Sequence, residues 1–399
     1  MERGELKAWL RLTLSPGIGN VTARKLLVTF GLPQAIFEQP ASTLRQVATP
    51  VQTQALCAEP GSLSALLETT WDWLGQSEPD GCQRQIVTLG DAGYPQTLLD
   101  IDDPPLMLYL LGNAHFEDDN ASDAVASWPI ASRRCLAVVG SRNPTPQGAR
   151  NARQFAKALV QSGLTVVSGL ALGVDGAAHE GALEALPEGA TGQALTLAVI
   201  GTGLDRVYPK AHHGLAHRIA QHGLLMSEYP LGTPPLNANF PKRNRLIAGL
   251  ARGTLVVEAA LQSGSLITAR LTADQGKDVF AIPGSIHSAQ SRGCHALIKQ
   301  GAKLVESAQD VLEELQGYHA PSVATACPAD PGGPQMMEST DNADHMLLQA
   351  IGFDPVRLDA LQGRTQLNTA DLQARLMTLE INGLVARLPG GLFQRLSDA

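Results

Sequence analysis

At 399 residues, 44% hydrophobic and only 17% charged, the chain is long enough for two or three domains and apolar enough to bury a large core. It has no run of about 18 apolar residues, which excludes a membrane span. Its five cysteines (Cys57, Cys82, Cys135, Cys294, Cys327) are odd in number and never spaced C-x-x-C, which excludes a disulfide framework and a cysteine zinc site. The formal charge of -8 hides an asymmetry. Residues 139–300 hold 15 Lys+Arg against 9 Asp+Glu, while the rest of the chain is acidic, so the positive middle points to a local anion site.

Met1–Leu14 is polar and amphipathic, without the apolar core or cleavage site of a signal peptide. With unpaired thiols, this predicts a cytoplasmic protein. Residues 1–80 read as short helices. Within them Pro16-Gly17-Ile18-Gly19-Asn20, followed by Ala23, Leu26 and Leu27, has the shape of a helix-hairpin-helix, whose glycines let backbone N–H groups approach a DNA phosphate. The same residues also make an ordinary connection using Gly for positive φ, and the lack of a strong basic cluster favours that.

From about residue 86 apolar runs alternate with amphipathic stretches. Leu136–Gly140, Thr165–Gly169, Thr196–Gly201, Leu224–Glu228, Thr254–Glu258 and Val279–Pro283 are strand-like. Helical segments lie at 148–162, 174–186, 211–222, 241–252 and 265–275. That alternation predicts an α/β fold with a doubly wound, mostly parallel sheet over 81–316. Residues 114–134 and 187–194 read as insertions, and 317–343, rich in Pro, Ala, Gly and Ser, as a flexible linker. Residues 344–399 carry two or three helices, then Leu384–Leu388 and Leu392–Leu396 around a Gly390-Gly391 turn, the pattern of a winged helix.

In doubly wound sheets ligands bind where strand ends lead into helix N-termini. Small and polar residues fall there: Gly140-Ser141-Arg142, Ser168-Gly169 running to Asp175 with His179 beyond, Gly201-Thr202-Gly203, and Ser263-Gly264-Ser265. Each offers backbone N–H groups to an oxyanion, and several together suit a string of phosphates. The strongest segment is Phe240-Pro241-Lys242-Arg243-Asn244-Arg245. Pro241 suits a first helical turn, and Lys242 and Arg245 share a face. Cations there oppose the helix dipole unless an anion sits nearby.

Enzyme readings find little support. There is no G-x-x-x-x-G-K-[ST], and Gly201-Thr202-Gly203-Leu204-Asp205-Arg206 has Arg where a dinucleotide fingerprint needs its third Gly. His212, His213 and His217 lack a carboxylate at ligand spacing, and helix-entry capping explains Asp175 as well as a catalytic pair with His179 does. No catalytic residue, metal or cofactor is expected.

Taken together, VVGSR at 138–142, SGLALGVDGAAHEGAL at 168–183, GTGLDRVYP at 201–209, SEYPLGTPP at 227–235, FPKRNRLIAGL at 240–250, TLVVEAALQSGSLITA at 254–269, AIPGS at 281–285 and SRGCHALIKQGAKLV at 291–305 resemble the DNA-processing protein A (DprA/Smf) family, over nearly the whole chain. The resemblance implies an extended Rossmann-like domain, a preceding SAM-like or hairpin helical domain, and a winged helix. It also implies a homodimer that binds single-stranded DNA and helps load the RecA recombinase in natural transformation. On the matching positions the DNA pocket would comprise Arg142, Lys242, Arg243 and Arg245, with Gly140, Ser141, Gly169, Ser263, Gly264 and Ser265 supplying backbone or hydroxyl contacts. Two features depart from the family: segment 114–134 is longer, and Ser288-Ala289 stands where Asn-Pro is commoner.

The same Rossmann variant occurs in nucleotide-processing enzymes of the LOG (phosphoribohydrolase) type, but their P-G-G-x-G-T-x-x-E motif is missing; Glu258 precedes Ser263-Gly264-Ser265 instead. The winged helix is not expected to be the main DNA reader. Residues 344–399 hold five arginines and no lysine against six carboxylates, and the candidate recognition helix, Thr369–Asn382, has only Arg375 as a cation.

Overall fold

A computed structural model describes residues 1–76, 81–113, 134–186, 194–315 and 342–396. The insertion expected at 187–194 and the linker at 317–343 fall, apart from their terminal residues, outside the described ones, as does 114–134 apart from Arg134.

Six helices open the chain: α1 (Arg3–Leu14), α2 (Asn20–Phe30), α3 (Pro33–Phe37), α4 (Ala41–Leu44), α5 (Pro50–Cys57) and α6 (Leu63–Gly75). A short link joins α1 to α2. Gly17 takes φ +76, and its carbonyl accepts from Gln52 Nε2 at 2.9 Å. The nearby cation Arg24 is occupied by Asp103 (3.1 Å) and the carbonyls of Pro104 and Asp102.

The central sheet has nine strands: β1 (Gln83–Thr88), β2 (Met107–Gly112), β3 (Cys135–Val139), β4 (Thr165–Ser168), β5 (Thr196–Val199), β6 (Leu224–Ser227), β7 (Gly253–Val256), β8 (Asp278–Ala281) and β9 (Lys303–Leu304). Their order is β1-β2-β6-β5-β4-β3-β7-β8-β9. β3 to β9 are parallel, and β1 and β2 add an antiparallel edge beside β6. Order reverses on either side of β3, which places a topological switch point, and hence a crevice, at the ends of β3 and β7. The six inner strands match the expected runs to within two residues, because strands covered on both faces must be apolar throughout.

Helices α7 (Pro146–Gln161), α8 (Val174–Glu184), α9 (His213–His222), α10 (Asn239–Leu250), α11 (Ser265–Asp274), α12 (Arg292–Lys299) and α13 (Ala308–Glu314) complete the crossovers. α7 and α8 pack so closely that a Cβ at Gly181 would collide with the Arg153 carbonyl. The N-terminal helices join one sheet face: Leu6, Trp9, Leu26, Leu63 and Trp73 form a single apolar cluster with Tyr109, Ala198, Leu215 and Leu225.

The last unit comprises α14 (Asn342–Ile351), β10 (Val356–Arg357), α15 (Leu358–Thr365), α16 (Thr369–Ile381), β11 (Val385–Leu388) and β12 (Leu392–Arg395), with strand order β10-β12-β11. This is the winged helix expected, with its own core of Leu347, Leu361, Leu372, Leu376, Leu379 and Phe393. Cys57, Cys135 and Cys294 are thiols with no disulfide among the described residues. No helix among the described residues is long and apolar enough to cross a membrane.

Candidate nucleic-acid interface

The ends of β3 and β7 open into a cavity of about 510 Å³. One wall is Gly140-Ser141-Arg142-Asn143. A second is Gln262-Ser263-Gly264 and the start of α11, and a third is the first two turns of α10, with Phe240, Arg243, Asn244 and Ile247. Each wall is fixed locally. Ser141 N donates to the Glu258 carbonyl at 2.7 Å, and its own carbonyl accepts from Val174 N at 3.0 Å. Gly140 has Val174 and the Glu258 carbonyl where a Cβ would go, so no other residue fits without displacing them. Ser263 and Ser265 share a hydrogen bond between hydroxyls at 2.7 Å beside the α11 N-terminus, whose dipole favours an anion although its first N–H groups are taken up by Ser263 Oγ and the Ser263 and Gly264 carbonyls.

Arg142 is exposed, and its guanidinium carbon lies 5.9 Å from the centre of the Phe240 ring. Tyr208 lies beyond, its ring centre 5.5 Å from that of Phe240. Sequence reasoning missed this aromatic pair, together with Asn143, Asn244, Gln262 and Gln290 on the cavity wall. Phe240 was inside a quoted motif, and its place beside a basic run was the available signal.

Of the ten residues expected at the site, seven line this cavity: Gly140, Ser141, Arg142, Arg243, Ser263, Gly264 and Ser265. Three do not. Gly169 lies behind the wall, its N–H donated to Asp175 Oδ2 at 3.1 Å, so that amide is not offered to a ligand. Lys242 is exposed on α10 outside the lining and makes no hydrogen bond or ion pair with any described residue. Arg245 points away: its side chain is 12% exposed and pairs with Glu228, itself 6% exposed, with Asp103 3.7 Å off. Spacing placed Lys242 and Arg245 on one helix face, but only the structure shows Glu228 at the inner end of it. Burial raises the Glu228 carboxyl, and the charge of Arg245 opposes that.

The residues of the enzyme readings are engaged in holding the fold. Glu258 accepts from Thr145 N (2.8 Å) and Thr145 Oγ1 (2.6 Å), one on each oxygen. Gly148 packs against that carboxyl so closely that a Cβ would collide with it. Asp175 and His179 form no pair: Asp175 caps Gly169 and Ala171, while His179 Nδ1 lies 2.7 Å from Thr196 Oγ1. His212 Nδ1 is 3.0 Å from the Leu170 carbonyl, and His217 Nε2 lies 3.3 Å from Gln221. In the winged helix Arg375 of α16 is tied to Asp344 at 2.7 Å, while Leu372, Leu376 and Leu379 are core.

A doubly wound sheet with a helix N-terminus, serine hydroxyls and an exposed arginine at its switch point defines a Rossmann-like protein equipped for anionic ligands. Residues 85–316 match the family described as DNA recombination-mediator protein A, and 331–391 match the DprA winged helix domain. The chain is 38% identical over 333 residues to Protein Smf of Escherichia coli K12, covering 82% of this chain and 80% of the relative. It is 46% identical over 226 residues to DNA processing protein DprA of Streptococcus pneumoniae, covering 57% and 72%. The X-ray structure of the pneumococcal protein superposes with a TM-score of 0.61 at 36% identity, over 76% of this chain and 95% of that one. The chain belongs to the DprA/Smf family of DNA-processing proteins.

Proposed function

We propose that this protein binds single-stranded DNA at the β3–β7 crevice, without catalysing a reaction, and through that binding helps load RecA on DNA taken up in transformation. The observation that carries the reading is the crevice itself: two helix N-termini, paired serines and the exposed Arg142, with Lys242 just outside. Such a cradle reads the sugar-phosphate backbone, which carries no base sequence, and a flexible strand can follow it where a rigid duplex cannot. Gel shift with labelled oligonucleotide should show tighter binding of single than of double strand and little base preference. Equal or tighter binding of blunt duplex would overturn the reading. A homodimer working in the cytoplasm, as the resemblance implies, completes it; a monomer by light scattering would remove the dimer.

The winged helix is assigned a protein-contact or regulatory role. Its recognition-helix position lacks an available cation, since Arg375 already serves Asp344, and phosphates beside a groove need a basic face. Removing residues 344–399 should leave single-strand affinity within a few-fold. Should affinity fall by about a hundredfold, equal to roughly 2.7 kcal/mol, in truncated protein that is still folded, the winged helix would have to be a DNA reader. The nucleotide-hydrolase alternative needs a Glu258 able to act on substrate, whereas both of its oxygens hold Thr145. Base release from a nucleoside monophosphate, abolished by Glu258→Gln, would restore it.

A further inference from the structure

Arg243 belongs to the most basic stretch of the chain yet is only 4% exposed. Its Nη1 donates to two carbonyls, those of Gly169 (2.6 Å) and Val199, and its Nε to Asn244 Oδ1 at 3.2 Å. Gly169 and Val199 are at the ends of the neighbouring strands β4 and β5, while Arg243 is on α10. The Gly169 peptide is therefore held on both sides: its carbonyl by Arg243, its N–H by Asp175 Oδ2 at 3.1 Å. Asp175 Oδ2 also takes Ala171 N at 3.4 Å. A Cβ at 169 would lie 2.6 Å from Arg243 Nη2 and 2.7 Å from Asp175 Oδ2, so it would displace both side chains.

We propose that Arg243 is a positioning residue: its guanidinium pins the ends of β4 and β5 to α10 and so sets the width of the crevice, without itself neutralising a phosphate. This rests on the reading of the crevice as a single-strand site. Three observations carry it. The donors nearest the strand ends are spent on carbonyls. The charge of the neighbouring Asp175 favours the protonated guanidinium, so Arg243 already has a counter-charge inside the fold. The bonds also need a planar fork that reaches two carbonyls from one nitrogen while a second donor turns back to Asn244, which lysine's single ammonium on a flexible stem does not provide. Burial lowers Arg243 to about 10, so it stays protonated at neutral pH and the brace is permanently charged. Asn244, the next residue, reaches the Gly264 carbonyl at 3.4 Å, so the same helix turn that is braced inward touches the opposite wall.

The test compares Arg243→Lys and Arg243→Gln with the parent, scoring thermal unfolding, hydrogen exchange of the DNA-free protein at residues 169–176, and binding of an oligothymidylate over a range of salt. The brace predicts faster exchange at 169–176 in both variants. It also predicts an affinity loss of about tenfold or more in protein that is still folded, with no rescue by lysine. The salt dependence of Arg243→Gln should stay parallel to the parent. Parent-like affinity in Arg243→Lys, or a slope flattened by about 0.7 in Arg243→Gln, as a lost phosphate contact would give, overturns the proposal. Should Arg243→Gln not fold, Arg243→Lys decides by exchange and affinity alone. If the parent binds no single-stranded DNA, the functional reading fails by itself. The brace is then judged by exchange, and unchanged rates at 169–176 overturn it.

Discussion

The double variant Arg142→Ala/Lys242→Ala should bind single-stranded DNA about 25-fold more weakly than the parent at about 0.1 M salt, with a salt slope flatter by about 1.4. The figure follows from counterion release. Each phosphate neutralised on a single strand contributes about 0.7 to the slope, hence about 0.7 of a decade in affinity at about 0.1 M. Both side chains are exposed, and neither makes an ion pair among the described residues. Arg142 gives up only its contact with Phe240, 5.9 Å from the ring centre, worth about 0.5–1 kcal/mol at an exposed site. The variant should therefore fold normally, which keeps the binding result interpretable. Anisotropy titration with an oligothymidylate across a salt series reads both quantities. Lines parallel to the parent's would remove both residues from the interface.

Acidification should destabilise the fold by about 1.4 kcal/mol per pH unit through His179 alone, between roughly pH 6 and pH 4. The ring is fully buried on α8, with Nδ1 2.7 Å from Thr196 Oγ1. The hydroxyl proton of Thr196 goes to the Val166 carbonyl at 2.9 Å, so Thr196 accepts from His179 Nδ1–H, and the ring is neutral with its lone pair on Nε2. Among the described residues no acceptor faces that Nε2, so a second proton there would have no hydrogen-bond partner. Burial first, then His212 and Arg243, push His179 down to about 3. Because the folded value lies below the unfolded one of about 6.5, the unfolded chain takes up the proton first. The contribution is complete above that value and is lost as pH falls toward 3. Urea unfolding of the parent and of His179→Gln over this range isolates the effect, since other groups cancel in the difference. Burial raises the Asp175 and Glu258 carboxyls, so they act in the opposite direction and would mask it in the parent alone. A difference that does not vary with pH would mean that His179 titrates alike in both states.

The parallel sheet was legible in the sequence because a strand buried on both faces has little choice of residue, as Leu136–Val139 and Thr254–Val256 illustrate. The edge pair was not. Met107–Gly112 joins the sheet by antiparallel pairing with β6, and Gln83–Thr88 by pairing with Met107–Gly112, a long-range relation that no local periodicity encodes. Among the site residues, the small ones at strand ends were legible because the close approach of β3, β7 and α8 demands them, Gly140 most clearly. The roles of the three cations at 242–245 were not. Helical spacing assigns faces, but whether a face meets solvent (Lys242), strand-end carbonyls (Arg243) or a buried carboxylate (Arg245) depends on what tertiary packing brings opposite.

The apolar cluster that the N-terminal helices share with the sheet has a thermodynamic consequence. Helices that lend Trp9, Leu26 and Trp73 to a common core cannot melt without stripping that sheet face, so residues 1–76 and the strands form one cooperative unit. The winged helix keeps a separate core around Leu372, Leu376 and Phe393, and is expected to melt on its own account. Calorimetry of the whole chain should therefore show two heat-absorption peaks, not one for each of three segments. A ligand seated between Gly140 and Ser265 binds only the larger unit and moves only its peak upward.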